Sequence, residues 1–88
     1  PGEMEEKNAN NTPSAENFSV QVGVFKSREN AERLAKRVRG GQVHGAEEDG
    51  QTLYRVLTSF YNTFDQAQRR MDELRLKGLS NVFVIPAP

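Results

Sequence analysis

From Phe18 to Val24 the chain alternates, with Phe18, Val20, Val22 and Val24 apolar and Ser19, Gln21 and Gly23 between them. A two-residue period describes a half-buried strand, its four apolar residues turned to a core and a low face of hydroxyl, amide and glycine turned outward. Glycine weakens a strand interior, so Gly23 points to close approach of something to that outer face. The period then changes. Ser27 is a helix N-cap residue, and Ala31, Leu34, Ala35 and Val38 form one apolar stripe at helical spacing, ended by Gly40-Gly41. A second strand near Gln42–Glu47 rests on Val43 and on its position. Glu48-Asp49-Gly50-Gln51 reads as a hairpin turn, Asp-Gly being its strong signal. Leu53–Ser59 is the third strand, with Tyr54, Val56 and Thr58 on one face and Leu53, Arg55 and Leu57 on the other. Thr63 and Gln66 match a capping box. The helix they open carries Phe64, Ala67, Met71 and Leu74 along one side, and Gly78 closes it. Asn81–Ile85 is the last strand, cut off by Pro86 and Pro88.

The order is strand-helix-strand-strand-helix-strand, and each helix has a single apolar stripe. Both helices are therefore expected on one face of a four-stranded antiparallel sheet, an α+β fold of the βαββαβ ferredoxin/RNP-like type. A shift of 36 residues aligns Val20 with Val56, Phe25 with Tyr61, Ser27 with Thr63, Ala31 with Ala67 and Val38 with Leu74, which suggests two pseudo-symmetric strand-helix units. The same shift sets Gln21 against Leu57, Ser19 against Arg55 and Gly23 against Ser59. All six are expected on the face away from the helices, where two central strands share an open platform.

Composition divides the chain. Residues 1–17 hold Met4 as their one large apolar residue and read as a flexible linker or tail, leaving residues 18–88 as a single small domain. The net charge of zero hides a split. The tail has four Glu and one Lys, while residues 18–88 have eleven Lys and Arg against eight Asp and Glu. A surplus of three is mildly basic, suited to a weakly anionic ligand and too small to argue for nucleic acid. There is no cysteine, which excludes disulfides and zinc-thiolate sites. No stretch approaches the roughly eighteen apolar residues of a membrane span, so this segment is expected to make no membrane contact.

Catalysis finds little support. His44 is the one histidine, has no nucleophile placed beside it in sequence, and reads as an ordinary surface residue. Glu47, Glu48 and Asp49 lack calcium-loop spacing and read as a solvated hairpin tip. No cofactor or metal is expected. The platform is the better candidate, because Gly23, Ser59 and an exposed Leu57 gather where an inert sheet face more often shows charges. An uncovered apolar platform is also an association hazard without a ligand.

Val20-Gln21-Val22-Gly23-Val24-Phe25, Ala31-Glu32-Arg33-Leu34, Tyr54-Arg55-Val56, and Ala67 and Leu74 before Lys77-Gly78 together resemble the sporulation-related repeat (SPOR) domain. The likeness spans about residues 18–85. It implies four antiparallel strands with two helices on one face. It also implies non-catalytic binding of septal peptidoglycan, specifically glycan strands stripped of stem peptides. Such domains sit behind flexible linkers in bacterial envelope proteins, among them division proteins, amidases and lytic transglycosylases. The resemblance thus implies a place in the periplasm or cell envelope, at the division septum. One departure stands out: members often read Tyr-Arg-Val-x-Val-Gly-Pro-Phe in the third strand, where this chain has Tyr-Arg-Val-Leu-Thr-Ser-Phe-Tyr at 54–61. Ser59 in place of glycine adds bulk and a hydroxyl beside the groove.

A denuded strand exposes the lactyl carboxylate of each N-acetylmuramic acid and is an extended, repeating anion. On this reading Arg55 pairs with a carboxylate, Gln21 meets an acetamido group, and Ser19 and Ser59 reach sugar hydroxyls. Gly23 lets the chain lie close to the backbone. Leu57, with Phe25 or Tyr61, meets the apolar faces of the pyranose rings, although Phe25 has a second destination in the core. The domain is expected to act as a monomer. Two other readings remain open at this level. An RNA-recognition module shares the element order, but stacks bases on aromatics of its central strands, where this chain has Gln21, Gly23, Arg55 and Leu57. A ferredoxin-like module that pairs with a protein or binds a small effector through the same face is the other.

Overall fold

In a computed structural model of the chain, residues 17–87 are described, and the linker expected over residues 1–17 lies outside them apart from Asn17. Six elements follow in the expected order: β1 (Phe18–Phe25), α1 (Arg28–Arg37), β2 (Gln42–Glu48), β3 (Gln51–Leu57), α2 (Phe64–Leu76) and β4 (Phe83–Pro86). The sheet runs β2-β3-β1-β4 with every neighbouring pair antiparallel. β1 and β3 are the central strands, as the 36-residue shift implies. At the bottom edge the Ala87 N–H donates to the Asn17 carbonyl at 2.8 Å.

Local chemistry accounts for the element boundaries. Ser27 caps α1 by accepting from the Asn30 N–H at 3.3 Å, and Thr63 caps α2 by accepting from the Gln66 N–H at 3.2 Å. The Gln66 side chain reaches back one residue further than a capping box requires, taking the Asn62 N–H at 3.1 Å. Asp49 and Gly50 both take positive φ, 51° and 77°, which is the two-residue hairpin geometry that matches strand twist. Strand β3 starts at Gln51 rather than Leu53, since the hairpin ladder closes all the way to Glu48↔Gln51.

The core lies between the sheet and the helices, formed by Val20, Val22, Ala31, Val38, Val56, Ala67, Leu74 and Val82. Arg70 joins it as an unexpected member, only 7% exposed. Its guanidinium bonds the Glu73 carboxylate at 2.7 Å and the Arg39 carbonyl at 3.0 Å, tying α2 to the chain just past α1. A buried cation is tolerated only when paired in this way. The Arg70 hydrogen bond, with help from the charges of Arg70, Arg39 and Lys77, holds the Glu73 carboxyl below its ordinary range.

One feature of β1 departs from simple alternation. Gln21 faces Leu57, but Gly23 faces Val56, so Val22 and Gly23 together occupy one step of the partner strand. This β-bulge reverses the sidedness of everything after it. Val24, expected in the core, lies opposite Arg55 on the outer face and is 44% exposed. Gly23, expected on the outer face, is turned to the helices. A Cβ at Gly23 would sit 2.8 Å from Leu34 Cδ2 and 2.9 Å from Phe25 Cε2. Two successive residues of β1 point inward, Val22 fills the space, and Gly23 must leave it empty.

Candidate functional site

Strand register defines the open face as a set of cross-strand rows. The first row is Phe83, Gln21, Leu57 and Gln42, one residue from each strand in sheet order. The next holds Val24, Arg55 and His44, and beyond it come Leu53 and Ala46. On the other side of the first row stand Ile85 and Ser19. Neither helix covers this side. A groove of about 350 Å³ lies on it, lined by residues that include His44, Arg55, Leu57 and Ile85.

The side chains on these rows differ in what they offer. Gln21 is half-buried on the central strand and makes no side-chain hydrogen bond among those of the described residues. Arg55 is 40% exposed at its side chain, and its Nη2 lies 2.6 Å from the Glu48 carboxylate. His44 Nε2 stands 3.1 Å from Gln42 Oε1, and the Phe60 ring meets the His44 ring edge-on at 6.2 Å. Phe83, which sequence reasoning missed, is 55% exposed beside Gln21. Its position in an edge strand, after a loop and before Pro86, carried no signal of sidedness; only the pairing Gln21↔Phe83 places its ring outward.

Of the eight residues expected to line the site, register puts Gln21, Arg55, Leu57 and Ser19 on the open side of the sheet; Gly23, Phe25 and Tyr61 are elsewhere, and Ser59 lies beyond the last paired residue of β3. Gln21 and Arg55 are there and accessible. Ser59 is exposed just past the end of β3, its hydroxyl in the space a side chain on Gly40 would take. Leu57 belongs to the face but is only 1% exposed, so it forms the floor rather than a contact surface. Ser19 is fully buried, and its hydroxyl donates within the protein, 3.1 Å from the Thr58 carbonyl and 3.3 Å from that of Ser59. Those bonds, with the Thr58 N–H to the Val20 carbonyl at 2.9 Å, extend the β1–β3 ladder past its last regular residue. Gly23 is on the helix side because of the bulge. Phe25 shares that side and packs against the core, the second of its two destinations. Tyr61 also packs against the core and is held by paired backbone bonds to Phe18 of 2.7 and 3.0 Å. It lines a separate open recess of about 410 Å³ with Phe60, Asn62, Gln66 and Arg69.

The face offers amides, a guanidinium and apolar side chains in rows across the strands. Among the described residues no group of three or more His, Asp or Glu gathers to hold a metal. No helix among them is long and apolar enough to cross a membrane.

Two solved structures share this architecture. The SPOR domain of RlpA from Pseudomonas aeruginosa superposes with a TM-score of 0.69 at 22% identity, covering 81% of this chain and 99% of its own. The peptidoglycan binding domain of the B. subtilis cell wall lytic enzyme CwlC gives 0.66 at 27% identity, covering 91% of this chain and 100% of its own. No curated protein matches the sequence. The SPOR domain family model matches residues 14–86, from just before β1 to the end of β4, and the chain therefore belongs to the SPOR domain family.

Proposed function

We propose that this domain binds peptidoglycan through the open face of its sheet. It takes glycan strands that have lost their stem peptides, and so holds the protein that carries it at the division septum. The observation that carries the reading is the row of Phe83, Gln21 and Gln42 over the buried floor of Leu57 with Arg55 beside it, an amide-rich and apolar surface with one cation. The likeness to the CwlC domain, which is named as binding peptidoglycan, supports the ligand class.

Each group has a task suited to its chemistry. A guanidinium matches a carboxylate in a charge-assisted way, so Arg55 takes the lactyl carboxylate that removal of a stem peptide frees. Gln21 and Gln42 both donate and accept, which is what an acetamido group requires. They lie two strand spacings apart, about 9.5 Å, close to the length of one disaccharide repeat. A glycan crossing the strands thus meets an amide at each repeat. Phe83 and Val24 present the exposed apolar surface for pyranose faces, a role that buried Leu57 and core-packed Phe25 and Tyr61 leave vacant. Binding of this kind needs no cofactor and transforms nothing.

Co-sedimentation with intact and amidase-treated sacculi tests the reading. The domain pellets with the denuded material and much less with the intact. Gln21→Ala and Arg55→Ala each weaken this by about 1 kcal/mol, roughly fivefold, the lower end of the usual range because both groups are partly wet. Their thermal unfolding stays near that of the parent sequence. Equal pelleting with intact and denuded sacculi refutes the specificity, and unchanged pelleting of both variants refutes the site.

A further inference from the structure

We propose that Glu48 occupies, in the free domain, the position on Arg55 that a ligand carboxylate takes. It would then act as a built-in competitor that limits affinity for anionic glycans and sets where they lie. The inference rests on the open face being the glycan site. Arg55 and Glu48 are seven residues apart, across the Asp49-Gly50 turn, yet register puts both on that face: Arg55 alternates down β3 to Gln51, whose partner is Glu48. Their atoms meet at 2.6 Å. The other ion pairs among the described residues, Arg28–Glu32, Arg33–Glu29 and Arg70–Glu73, each lie within one helix. This pair alone among them bridges two strands on the candidate site.

The contact imitates the recognition expected of the ligand. A carboxylate on a short stem approaches the guanidinium from the sheet surface, as a lactyl group on a sugar would. With 40% and 44% of the two side chains exposed, the pair is wet enough for an incoming anion to displace it. Glu48 is also one of three consecutive acids, Glu47, Glu48 and Asp49, at the hairpin tip. Arg55 therefore stands between an acidic end of the face and the groove lined by His44, Leu57 and Ile85. An anionic chain is drawn to Arg55 and turned back by the tip. It then runs across the strands, over Gln21 and Gln42, rather than along them.

Glu48→Gln is the test, with Glu47→Gln as its partner. Glu47 pairs with Thr52, one residue out of phase with Glu48, so its side chain belongs to the opposite side of the sheet. The two variants change net charge equally. Glu48→Gln is expected to bind amidase-treated sacculi more tightly by roughly 1.5- to 5-fold, the range exposed ion pairs cover, while Glu47→Gln gains clearly less. The gain disappears in an Arg55→Ala background and is absent for an N-acetylglucosamine oligomer, which has no carboxylate. Thermal unfolding run beside the binding verifies that each variant is folded. Unchanged or weaker binding by Glu48→Gln overturns the proposal, since Glu48 would then be positioning Arg55 or doing nothing. An equal gain from Glu47→Gln overturns it as well, by reducing the effect to net charge. If the parent domain ignores denuded sacculi, or Arg55→Ala alone leaves binding intact, it is the glycan site itself that fails, and this proposal falls with it.

Discussion

Gly23→Ala places one methyl group where the bulge has turned β1 inward. That methyl would lie 2.8 Å from Leu34 Cδ2, 2.9 Å from Phe25 Cε2 and 3.3 Å from Phe25 Cζ, whereas carbon atoms pack best at about 3.5–4.0 Å. Leu34 can swing its terminal methyl aside. The Phe25 ring, packed against the core, yields less readily. Overpacking of this size costs about 1–3 kcal/mol. Gly23 does not have a positive φ, so alanine also recovers about 0.4–1 kcal/mol by restricting the unfolded chain. The net expectation is a loss of about 1–2 kcal/mol, a fall in Tm of roughly 5–15 °C for a domain of this size. Binding to amidase-treated sacculi, measured well below the transition, should be unchanged because the methyl is on the far side of the sheet from Gln21 and Arg55. Thermal and urea unfolding beside co-sedimentation reads both quantities on one preparation. A variant with unaltered Tm and reduced sedimentation would refute the reasoning, for it would place Gly23 against the ligand.

Leu57→Ala should behave as a core truncation although its strand position is on the outer face. At 1% exposure the cost is about 2–5 kcal/mol, and a loss under about 1 kcal/mol by urea unfolding would contradict the packing. Acid stability should depend on Glu73. Its folded carboxyl is held below the ordinary value of 4.5 by the Arg70 hydrogen bond. The resulting stabilisation is therefore complete above that value and lost as the pH falls through the depressed one. Tm measured against pH should drop less steeply across this acid window in Glu73→Gln than in the parent sequence, and identical slopes would show that the pair is not coupled to folding.

The element order, the caps at Ser27 and Thr63, the Asp49-Gly50 turn and most of the core were legible along the chain, because each is set within a few residues. A hydroxyl that caps its own helix, a glycine that permits its own turn and a stripe that repeats every helical turn need no distant partner. The motifs at 20–25 and 54–56 carried the family for the same reason. Sidedness after Val22 was not legible in this way. A bulge is decided by how β1 meets β3, and one extra residue exchanges the two faces for all that follows, so Gly23 and Val24 were assigned to the wrong side by alternation alone, and of the two destinations open to Phe25 the bulge chose the core. Distance in sequence hid the rest. Ser19 is buried by Thr58 and Ser59, nearly forty residues away, Arg70 is satisfied by the Arg39 carbonyl, and Phe83 is exposed because its partner is Gln21. Local chemistry specified which elements form and where they stop. Which residues the open face presents followed only from strand pairing, since a side chain's partners across a sheet are chosen by register and not by its neighbours along the chain.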